Sequence, residues 1–82
     1  MSDLTAAAKA MASPASIREV QAILAARDSA EASRLIATLQ VRLVDRMREA
    51  GLNHDAAASV AERLTAKLAA TWETRYGLLG SA

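Results

Sequence analysis

The stretch from Ala30 to Asn53, AEASRLIATLQVRLVDRMREAGLN, decides the fold. From Ala30 to Ala50 it holds neither Gly nor Pro, and Leu35, Ile36, Leu39, Leu43, Met47 and Ala50 recur at steps of three and four. That spacing stacks side chains on one face of an α-helix. Ala37, Val41 and Val44 form a second apolar strip beside the first, so the helix offers more apolar surface than one neighbour covers. Gly51 stands where a helix closes through a left-handed residue, and Asn53 is placed to cap the next helix. The reading is a tight helical hairpin.

Downstream, a helix is expected from His54 to about Tyr76, with Ala57, Val60, Ala61, Leu64, Leu68 and Trp72 on one face. Glu62, Arg63, Lys67 and Glu73 fall largely outside that face, and Gly77 ends the helix with Leu78 folding back on Trp72. Upstream, Ser16-Ile17-Arg18-Glu19 fits a capping box, predicting a helix over residues 17–27 with Ile17, Val20, Ile23 and Leu24 at helical spacing. Arg27-Asp28-Ser29 supplies the break and a new cap. Residues 1–15 read as a flexible or short helical arm, because only Leu4 and Met11 are large apolar anchors there. Residues 16–82 read as a single all-helical domain.

Composition agrees with an all-α class. Ala fills about a quarter of the 82 positions, hydrophobic residues make up 52% and aromatics 2%, a balance that favours helix over sheet in a chain apolar enough to fold. There is no Cys, which excludes disulfides, thiolate metal sites and Cys nucleophiles. Ten Lys and Arg against nine Asp and Glu give a net charge of +1, so no strong global field draws nucleic acid or anionic lipid. No early apolar run is long enough to span a bilayer, and a cytoplasmic, membrane-free protein is expected.

Reactive groups do not assemble into a catalytic or cofactor pattern. His54, the only histidine, opens a helix outside any HExxH spacing, and the three glycines punctuate helix ends instead of forming phosphate-cradling loops. No catalytic, metal or cofactor residue is assigned, and an enzyme is not expected. Asp45 and Glu49 read as a solvated charged face with local ion pairs. A helix-turn-helix reading of residues 47–64 fails on its second helix, which opens His54-Asp55-Ala56-Ala57-Ala58 and offers no side chain suited to base edges. Arg34, Arg42, Arg46 and Arg48 remain as a candidate basic surface for phosphates, the alternative functional reading. Trp72 and Tyr76, four residues apart, either pack at the end of the bundle or, if exposed, form a partner-binding platform with Leu78 and Leu79.

A small helical core commonly needs a second copy to cover it. Two hairpins are therefore expected to pair as a homodimeric bundle. The run Leu35, Leu39, Leu43, Met47, then Ala50-Gly51-Leu52, then Ala57, Val60 and Leu64 resembles the N-terminal dimerisation region of the Mor family of phage middle-operon transcription activators, over about half of the chain. The resemblance implies a phage or prophage origin and a dimer interface of Leu35, Leu39, Leu43, Met47, Val60 and Leu64. Family members continue into a Gly-rich turn, a strand and a DNA-reading helix-turn-helix, where this chain has Thr71-Trp72-Glu73-Thr74-Arg75-Tyr76. The expectation is a small non-enzymatic module that binds a larger bacterial protein and modulates or inhibits it.

Overall fold

The computed structural model describes residues 3–77. Four α-helices follow one another: α1 (Asp3–Met11), α2 (Pro14–Ala25), α3 (Ser29–Glu49) and α4 (His54–Trp72), and α4 runs on into a wider π-helical turn, Glu73–Gly77. No strand occurs among the described residues, so the all-α class and its long hairpin are observed.

The α3–α4 hairpin is closed by local chemistry. Gly51 has φ +109°, its N–H donates to the Arg48 carbonyl, and the Leu52 N–H donates to the Met47 carbonyl, each at 3.0 Å. These are the paired bonds of a Schellman motif, which satisfies carbonyls that the helix end would leave open. The Asn53 side chain then accepts from the Ala56 N–H at 2.9 Å and starts α4. Asp28 caps α3 in the same way, accepting from the Glu31 N–H at 2.7 Å.

The start of α2 differs from the capping box read around Ser16. Ser13 is the N-cap and Pro14 occupies the first turn, where a fixed φ and a missing N–H are no handicap. Ser16 is instead completely buried. The expected fold-back of Leu78 lies outside the described residues.

α1 and α2 pack on the hairpin. Ile23, Leu39, Leu43, Met47, Ala57, Val60 and Ala61 form the centre of the core with Ala7 and Ala10 of α1, while Met11, Val20, Leu35, Ile36, Val44, Leu52, Leu64 and Leu68 pack round them. The segment read as an arm is thus a helix with Ala6, Ala7 and Ala10 buried. Small side chains let its backbone approach closely. At the far end Trp72 packs with Ala26 and Ala32.

Candidate functional site

The six residues read as a dimer interface are committed within one chain. Leu39, Leu43 and Met47 have 0% exposure and Val60 is buried, while Leu35 and Leu64 are half-buried against the same core. The seam assigned to a second copy is filled by α1, α2 and α4, and this corrects the interface assignment. Helical spacing marks a face that must be covered; it does not say by which helix.

Trp72 is also corrected as a partner-binding residue. It is only 8% exposed, and its Nε1–H donates to the Ala26 carbonyl at 3.0 Å. The indole ties α4 to the end of α2, so for Trp72 the packed reading holds. The side chains of Tyr76 and Leu78, its proposed companions, lie outside the described ones.

The arginine set splits in two. Arg42 Nη1 donates to Glu19 Oε2 at 2.8 Å, and Arg46 Nη1 donates to Glu19 Oε1 and to Ser16 Oγ, both at 2.7 Å. Ser16 Oγ in turn donates to the Ala10 carbonyl at 2.7 Å and accepts from Ser13 Oγ at 2.9 Å. One buried hydroxyl therefore joins α1, α2 and α3, and its polar partners remove the cost of burying it. Burial of the Glu19 carboxylate opposes ionisation, but the hydrogen bonds and positive charges of Arg46 and Arg42 outweigh it and hold its pKa below the ordinary value. Arg42 and Arg46 are thus braced against α2. Arg34 and Arg48 are exposed elsewhere on α3, so the four do not form the single basic surface read from the sequence.

What remains open is the outer ridge of α3. Val41 is 64% exposed; it lies two residues from both Leu39 and Leu43, about 200° round the helix from each and so away from the core. Along the same ridge Arg34, Ala37, Asp45 and Arg48 are exposed and Val44 is half-buried. The apolar strip of Ala37, Val41 and Val44 is visible in the sequence, whereas its flanking Arg34 and Asp45 carry no mark there that links them to it. Steps of three and four between residues 34 and 48 place them together.

His54 is exposed at the start of α4. Among the described residues no three His, Cys, Asp or Glu side chains are grouped to hold a metal ion, and no helix is long and apolar enough to cross a membrane. Compared with known proteins, the chain matches no protein-family model, no curated protein and no solved structure.

Proposed function

We propose that this chain is a non-enzymatic, self-associating interaction module that occupies a surface of a larger protein and modulates its activity. In the phage or prophage setting implied by the Mor-like resemblance, that larger protein is bacterial. The observation that carries the reading is the exposure of Val41 in the middle of the longest helix, beside exposed Ala37 and half-buried Val44; among the described large apolar side chains only Ile17 of α2 is also exposed, and it stands alone. An isolated exposed Val is ordinary; an apolar strip with charges along its margin has the make-up of a protein contact. The nucleic-acid alternative loses its main support, since Glu19 engages two of its four arginines.

The reading is tested with Val41→Arg. Proteins captured from bacterial lysate by the wild-type chain are identified by mass spectrometry, and binding is remeasured with the purified partner. The variant is expected to keep its helicity and thermal midpoint and to lose the partner. Full capture by a folded Val41→Arg chain contradicts the reading.

A further inference from the structure

We infer that the outer ridge of α3 pairs with the same ridge of a second copy, antiparallel, about a twofold axis level with residue 39. This rests on the reading of that ridge as a protein contact and names its occupant. Capture of the larger partner then requires the paired chains, and Val41→Arg loses the partner by losing the pair.

The order of charges selects the arrangement. Arg34 and Asp45 are both exposed on α3 and stand eleven residues apart, about three turns, so they lie almost in line on the same side of the helix. A parallel pair of copies would set Arg34 against Arg34 and Asp45 against Asp45. An antiparallel pair centred on Val41 would set Arg34 against Arg48. Both juxtapose like charges, which disfavours them. With the axis level with residue 39, Val41 meets the copy's Ala37, and Arg34 comes nearly level with the copy's Asp45, its guanidinium at that carboxylate.

The twofold makes each of these contacts twice, as a self-complementary interface requires. Ala37 at the centre admits close helix approach. The ridge is narrow and its apolar groups are small, which puts the pairing at the weak, transient end of protein interfaces. A dimer forming in the micromolar range or above is expected.

A charge swap tests the register. Within one chain Arg34 and Asp45 are about 16 Å apart along α3, too far for one to compensate the other, so rescue has to come from a second copy. Sedimentation equilibrium of the full chain, from micromolar to near-millimolar, is expected to show a reversible dimer. Arg34→Glu and Asp45→Arg should each weaken it by at least about tenfold, with circular dichroism unchanged. The double variant Arg34→Glu/Asp45→Arg should restore it to within a few-fold of wild type.

Failure of the double variant to recover, with both single variants weakened, overturns the register. A wild-type chain that stays monomeric throughout overturns self-pairing. In that second case, loss of partner capture by Val41→Arg leaves the interaction reading standing, whereas capture unaffected by Val41→Arg removes both.

Discussion

The inner and outer faces of α3 draw on similar residue types and have opposite surroundings. Inside, Ala32, Leu39, Leu43 and Met47 are buried; outside, Ala37 and Val41 are exposed, with Arg34, Asp45 and Arg48 beside them. Length and branching separate the two. Leu and Met reach across to α1, α2 and α4 and fill the interior, and each such side chain contributes about 1.5–3 kcal/mol when fully buried. Ala and Val on the outer face are short and bordered by charge, a surface that tolerates water yet still gains from a close partner. Stability resides on one side of the helix, and association is proposed for the other.

Substitutions should break this contrast in a definite order. Leu43→Ala removes a completely buried side chain and is expected to destabilise by about 2–5 kcal/mol in denaturant unfolding. Trp72→Phe keeps most of the apolar bulk but leaves the Ala26 carbonyl without the indole donor, a loss of about 1–3 kcal/mol. Gly51→Ala should cost about 1–2 kcal/mol, seen as a lower thermal midpoint. A Cβ at Gly51 meets nothing within 4 Å, so the cost comes from the positive φ alone.

Glu19 offers a milder test that depends on pH. Its folded-state pKa is depressed, so its stabilising contribution is present above the unfolded value and is lost as pH falls through the folded one. Wild type should lose this contribution as pH falls from the ordinary glutamate value of about 4.3 through the lower folded one. Glu19→Gln should remove up to about 1 kcal/mol at neutral pH, and its urea midpoint should approach that of wild type on acidification. A gap between the two that stays constant from neutral pH to pH 3 would show that the ionised Glu19 brace contributes nothing.

The hairpin was legible because its signals are local. Gly51 must close α3 through its own backbone, Asn53 must cap through its own side chain, and uninterrupted three- and four-residue spacing leaves little choice between them. The assignment of Leu39, Leu43 and Met47 to a dimer seam went astray for a non-local reason. Their partners include Ala7, Ala10 and Ile23, and Ala residues in α1 give almost no hydrophobic signal although their small size is what lets α1 dock.

Ser16 shows the same limit. Both Ser13 and Ser16 can cap, and Pro14 at the first turn gives the cap to Ser13, freeing Ser16 to join α1, α2 and α3. That role depends on Arg46, thirty residues further on. The outer ridge was half legible: its apolar strip follows from spacing, while the pairing of Arg34 with Asp45 has meaning only once the inner face is known to be full.

The most direct measurement is the mass of Val41→Arg beside wild type at matched, high-micromolar concentration, with the thermal midpoint of each. We expect a dimerising wild type, a monomeric variant and midpoints extrapolated to low concentration that agree within experimental scatter. Equal masses would contradict pairing through Val41, and a variant that loses its fold together with its association would contradict the division between the two faces of α3.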